Sequence, residues 1–128
     1  MKKACREPMK EKSIYLLEDD PDIQDVIKYI LTKGGYKVYA FEKVQDFKKQ
    51  LEQGLPDLFI LDISLPDGNG IDVSKELTHE KAIEKPVLLM SADVINERKA
   101  REAGARNFIS KPFRLEELLF TVSDLLAA

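Results

Sequence analysis

The sequence predicts an α/β domain built on a doubly wound, five-stranded parallel sheet, and three observations lead there. Short apolar runs alternate with segments whose apolar residues recur at helical spacing, the pattern of strands joined by crossover helices. The run Leu58 to Leu61 is apolar at every position, which fits a strand covered on both faces and is too short for a buried helix. It ends in Asp62, followed by a loop containing Pro66, Gly68 and Gly70. Open α/β sheets bind and process their ligands just beyond the carboxyl ends of such strands.

The elements follow in order. Met1 to Lys12 has no apolar periodicity and more basic than acidic residues, so residues 1–12 read as a flexible leader and 13–128 as the folded domain. Ile14 to Leu17 is the first strand and runs into Glu18-Asp19-Asp20. Asp20 can cap a helix whose first position is Pro21, where the missing N–H costs nothing. Ile23, Val26, Ile27, Ile30 and Leu31 continue that helix, and Gly34-Gly35 closes it. Lys37 to Phe41 is a second strand with β-branched and aromatic content. Val44, Phe47 and Leu51 mark a second helix, ended by Gly54.

Beyond the central strand and its loop, Ile71, Val73 and Leu77 suggest a third helix with loose periodicity. Val87 to Met90 is the fourth strand, ending in Ser91. Asp93 to Ala103 carries only a thin apolar stripe, the mark of a helix of low local stability, and Gly104 stops it. Phe108-Ile109 is a brief fifth strand leading to Ser110-Lys111-Pro112. Leu115, Leu118, Leu119, Val122, Leu125 and Leu126 form the last helix.

Composition narrows the function. The 128 residues suffice for one domain with one substantial core, and 44% hydrophobic with 34% charged residues is ordinary for a soluble protein. A net charge of −3 gives no electrostatic case for direct nucleic-acid binding. No apolar run approaches the roughly 20 residues that span a bilayer, and the leader lacks a signal peptide's apolar centre. The single cysteine, Cys5, excludes an intrachain disulfide and points to the cytoplasm as the natural compartment.

In a parallel sheet of this kind the strand ends converge on one edge. An order 2-1-3-4-5 places the first and third strands side by side, bringing together Glu18, Asp19 and Asp20 with Asp62, then Ser91 and Lys111. Acids crowded in this way need protons or a cation between them, and an oxygen-only set suits a hard ion such as Mg²⁺. A lysine and a hydroxyl beside the ion make a cradle for a phosphoryl group.

These residues resemble the receiver domain of two-component response regulators. The resemblance runs from Ser13 to Leu126 and rests on Glu18-Asp19, Asp62 within Leu-Asp-Ile-Ser-Leu-Pro, Gly70, Met90-Ser91-Ala92, Gly104-Ala105 and Lys111-Pro112-Phe113. It implies a flavodoxin-like fold and supports the 2-1-3-4-5 order. It implies that Asp62 is the phosphoacceptor, taking its phosphoryl group from a sensor histidine kinase or a histidine phosphotransfer protein. Asp19, Asp62 and the backbone carbonyl of Ser64 would bind Mg²⁺, with Glu18 acting directly or through a bound water. Lys111 would pair with Asp62 and then with a phosphoryl oxygen. Ser91 and Phe108 would be the switch pair, and Lys111-Pro112 a cis peptide. The output would be altered binding of a partner on the face of the fourth helix, fifth strand and last helix. Such a domain is a regulatory phosphoacceptor, not an enzyme acting on other substrates.

The chain departs from the commonest pattern at three places. Arg106-Asn107 stand where many DNA-binding members carry an acid pair, and Leu119 to Val122 hold no arginine, so the salt bridges of the common symmetric dimer are missing. Phe108 replaces the usual tyrosine. Ser64 and Asp93 occupy positions that tune dephosphorylation in the family. Blander roles are open to several residues: Asp20 as a cap alone, Ser91 as a cap of the fourth helix, His79 as a solvated side chain. Two other functions share the chemistry. A phosphohydrolase with an aspartyl-phosphate intermediate wants a second Asp two residues after the nucleophile, where this chain has Ser64. A phosphorylation-independent interaction module typically loses some of the acids retained here.

Overall fold

The first helix begins where Asp20 and Pro21 place it. In the computed structural model, which describes residues 11–94 and 96–127, the Asp20 side chain accepts hydrogen bonds from the N–H groups of Asp22 and Ile23. Most of the expected leader, with Cys5, lies outside the described residues. Strand β1 (Ser13–Leu17) leads into α1 (Pro21–Lys33), then β2 (Lys37–Phe41), α2 (Val44–Leu51) and the central β3 (Leu58–Asp62). A short hairpin follows, β4 (Ser64–Leu65) with β5 (Gly68–Asn69), and then α3 (Gly70–Lys75) and a π-turn, Glu76–Glu80. Strand β6 (Val87–Ser91), α4 (Asn96–Glu102), β7 (Asn107–Ser110) and α5 (Leu115–Ala127) complete the chain.

The main sheet is parallel throughout, in the order β2-β1-β3-β6-β7. Counted without the hairpin strands, this is the expected 2-1-3-4-5. Alternation along each strand feeds two cores. Tyr15, Leu17, Phe59, Leu61, Val87 and Leu89 face α2, α3 and α4, while Ile14, Leu16, Leu58, Ile60, Leu88 and Met90 face α1 and α5. Two covered faces are the reason β3 reads as an uninterrupted apolar run.

Four local features differ from the sequence expectation or add to it. The Pro/Gly loop after Asp62 contains the hairpin, whose strands are too short to show any period. Helix α2 has no cap from its own Lys43. Asp67 at the hairpin's turn caps it instead, accepting from Val44 N–H at 2.8 Å and Gln45 N–H at 3.1 Å. The third helix loses its α geometry after Lys75 and widens into the π-turn, consistent with its loose periodicity. Helix α4 is shorter than the expected span, buries only Ala100, and carries exposed ion pairs Arg98–Glu102 and Arg101–Glu97.

Candidate functional site

Strand register decides what meets at the carboxyl edge. Leu17 stands opposite Leu61, so the next residues, Glu18 and Asp62, emerge level with each other. On the far side Asp62 faces Met90 and Ser91 faces Ser110, which brings Ser91 and Lys111 to the same edge.

Glu18 is the most constrained of them, at 1% exposure. Its N–H donates to the Phe41 carbonyl at 2.9 Å and its own carbonyl accepts from the Gln24 side chain at 3.0 Å. Both carboxylate oxygens accept as well: Oε1 from Lys111 Nζ at 2.8 Å, Oε2 from Asp20 N–H at 3.1 Å. Burial pushes the carboxyl from 4.5 up to about 7, the Lys111 hydrogen bond pulling against this and the charge of Asp62 adding to it. Lys111 Nζ also lies 3.3 Å from Asp62 Oδ2. Burial works against the ammonium, but the hydrogen bond to Glu18 and the charge of Asp62 outweigh it and hold its pKa above the ordinary value. The sequence pairs Lys111 with Asp62; the structure gives Glu18 the shorter contact.

Asp62 is buried at 6% exposure, and Asp19 is exposed. One carboxylate oxygen from each of Glu18, Asp19 and Asp62 lies within 4.8 Å of the others. Three converging oxygen donors of net negative charge fit a hard divalent cation. Ser64 opens the hairpin two residues beyond Asp62, with its side chain exposed. Gly70 presses on the same strand end: a Cβ there would collide with the Asp62 carbonyl oxygen, and its N–H donates to the Ile63 carbonyl at 2.9 Å.

Ser91 is buried at the end of β6 and points its hydroxyl oxygen into the following loop. That oxygen accepts from Asp93 N–H at 3.0 Å and from the Asn96 side-chain amide at 3.1 Å. It therefore does tie down the approach to α4, as a capping role would. Phe108 is half-buried on β7 opposite Leu89. The Lys111–Pro112 peptide is cis. Sequence reasoning missed Asn96 and Asp67, since nothing in their local spacing reveals a partner reached across a turn or from another element. An apolar groove of about 440 Å³ opens beside Lys111, lined by Ile23, Val26, Ala92, Pro112 and Phe113 among others.

The family model for the response regulator receiver domain matches residues 14–123. The chain belongs to that family. This receiver domain is 36% identical over 116 residues to the transcriptional regulatory protein CssR of Bacillus subtilis, covering 89% of this chain and 51% of CssR. It is 31% identical over 121 residues to the transcriptional regulatory protein CreB of Escherichia coli, covering 92% and 52%. The chain spans about half the length of these curated relatives. Among solved structures, the BeF3-activated receiver domain of RstA from Klebsiella pneumoniae matches with a TM-score of 0.83 at 25% identity, over 91% of this chain and 99% of that one. The receiver domain of a signal transduction histidine kinase from Syntrophus aciditrophicus matches with a TM-score of 0.82 at 28% identity, over 91% and 90%. The protein thus contains the receiver domain of a two-component response regulator, a regulatory unit. No helix among its described residues is long and apolar enough to cross a membrane.

Proposed function

We propose that this receiver domain accepts a phosphoryl group on Asp62 from a phosphohistidine, in a Mg²⁺-dependent reaction, and that the acyl phosphate changes the face made by α4, β7 and α5. The observation that carries this reading is the position of Lys111, whose ammonium lies between Glu18 at 2.8 Å and Asp62 at 3.3 Å beside a cluster of three acids. An Asp62 oxygen attacks phosphorus; the new O–P bond forms as the histidine N–P bond breaks, and the imidazole leaves. Asp19 and Asp62 would hold the metal, with the Ser64 carbonyl. Glu18, whose oxygens both already accept hydrogen bonds, would act through water. When bound, Mg²⁺ neutralises the crowded acids and the phosphoryl oxygens.

Lys111 then turns from the carboxylates to a phosphoryl oxygen. Ser91 rotates to donate its hydroxyl hydrogen bond to another, and Phe108 follows into the space released. The apolar groove beside Lys111 offers a protein phosphodonor, a sensor kinase or phosphotransfer protein, a surface to pack against. On the output face, Phe120 is 74% exposed on α5 and available to a partner. A cytoplasmic location accords with this chemistry.

Incubating the protein with a small phosphodonor and reading the modified residue by mass spectrometry tests the reading. Labelling should require Mg²⁺, map to Asp62 and vanish in Asp62→Asn. Labelling that survives Asp62→Asn or ignores Mg²⁺ would overturn it.

A further inference from the structure

Ser91 is held by two donors of different kinds. The bond from Asp93 N–H spans two residues and belongs to the turn that ends β6. The bond from Asn96 reaches from the first residue of α4, so it links the hydroxyl to the helix itself. A hydroxyl oxygen has two lone pairs, and these two donors occupy both. Rotating Ser91 toward a group on Asp62 would therefore break both bonds. The Asn96 bond is the one of the two made by a side chain, so truncating that side chain removes it and leaves the backbone bond in place.

The far end of α4 is attached differently. Buried Ser74 donates to the Ala103 carbonyl at 2.9 Å, and the Thr78 hydroxyl lies 2.9 Å from the same oxygen. Gly104, at φ +92°, packs so closely on Thr78 that a Cβ would collide with it. Helix α3 and the π-turn thus anchor the carboxyl end of α4, while the amino end is attached to the sheet through Asn96.

Granting Ser91 the phosphoryl-binding role proposed above, we propose that Asn96 is a positioning residue. It holds Ser91 in the resting orientation, and its release frees the first turn of α4 when Ser91 turns to the phosphoryl group. Asn96 thereby sets how readily the phosphorylated arrangement forms, without touching the phosphoryl group.

The test is a cycle of four full-length proteins: wild type, Asn96→Ala, Ser91→Ala and the double variant. The labelling rate at Asp62 is measured with a small phosphodonor at saturating Mg²⁺. Removing one hydrogen bond that opposes the rotation should speed labelling of Asn96→Ala by about fivefold over wild type. In the Ser91→Ala background the same substitution should change nothing, since no hydroxyl remains to be held. An unchanged rate in Asn96→Ala, or an equal change with and without the Ser91 hydroxyl, would overturn the proposal. Amide hydrogen exchange without phosphodonor gives a readout independent of phosphorylation. Asn96→Ala and Ser91→Ala should each raise exchange in the first turn of α4, and protection equal to wild type in both would also overturn it. If the exchange result holds but wild type takes no label at Asp62, the failure lies with the phosphoacceptor reading, and the proposed role in labelling falls with it while the contact stands.

Discussion

The two sides of the site are built to different standards. On the acid side, Glu18 and Asp62 leave strands that are paired on both flanks, and every polar atom of Glu18 has a partner in the protein. On the hydroxyl side, Ser91 leads into a loop of exposed residues, Ala92 to Val94, and a seven-residue helix with one buried side chain. The difference separates two duties. The acids stay in place at the ends of core strands, and motion is left to a short helix that buries one side chain.

The largest test of that division is Lys111→Met. It leaves Glu18 and Asp62 facing each other without a cation, and breaking a buried pair in this way costs about 3–5 kcal/mol. Denaturant unfolding without Mg²⁺ should show this loss at pH 8 and a smaller one near pH 5, where Glu18 carries a proton. Equal losses at both would mean that the acid side is not held by charge.

The next is the pH dependence of the wild type in the absence of Mg²⁺. Between 4.5 and about 7 the folded protein holds a proton on Glu18 that the unfolded chain has released. The stability from that proton is full below the unfolded value and is lost as pH rises through the folded one, on the order of 3 kcal/mol in all. Glu18→Gln should flatten this slope, and melting curves across pH 5 to 8 would reveal a slope that persists.

Asp62→Asn removes one of the crowded carboxylates. Without Mg²⁺ at pH 8 it should raise the melting temperature, by about 1 kcal/mol in stability, and a lower temperature would count against acid crowding. The smallest stability effect belongs to the hydroxyl side: Asn96→Ala should cost less than about 1 kcal/mol, since the side-chain bond it removes is neutral and only partly buried. A cost as large as that of Lys111→Met would erase the contrast between the two sides.

Much of the molecule was legible because its signals are local. Asp20 before Pro21 announces a helix start within two residues, and Leu58 to Leu61 announces a doubly covered strand by composition alone. The site was legible for a topological reason: parallel strands bring their carboxyl ends to one edge, so residues distant in sequence converge once the strands are recognised. What stayed hidden depends on partners supplied from elsewhere. Lys43 gives α2 no cap, and no local pattern says that Asp67 will reach back to do so. The preference of Lys111 for Glu18 over Asp62 is a matter of tenths of an ångström set by packing. The π-turn at Glu76–Glu80 contributes a single core residue, Leu77, which is too little to reveal a change of helical period.

The hairpin after Asp62 has a consequence for engineering. Asp67 grips the start of α2, Asn69 caps α3 with a 2.7 Å bond to Ile71 N–H, and Gly70 lies flush against the end of β3. Its length is therefore gauged from three directions, as a spacer is gauged between machined parts. Surface loops usually accept inserted residues at little thermodynamic expense. Here one added residue would uncap a helix or lift Gly70 from the strand end, so a tag or sensor peptide inserted at Pro66 should be rejected although the turn is exposed.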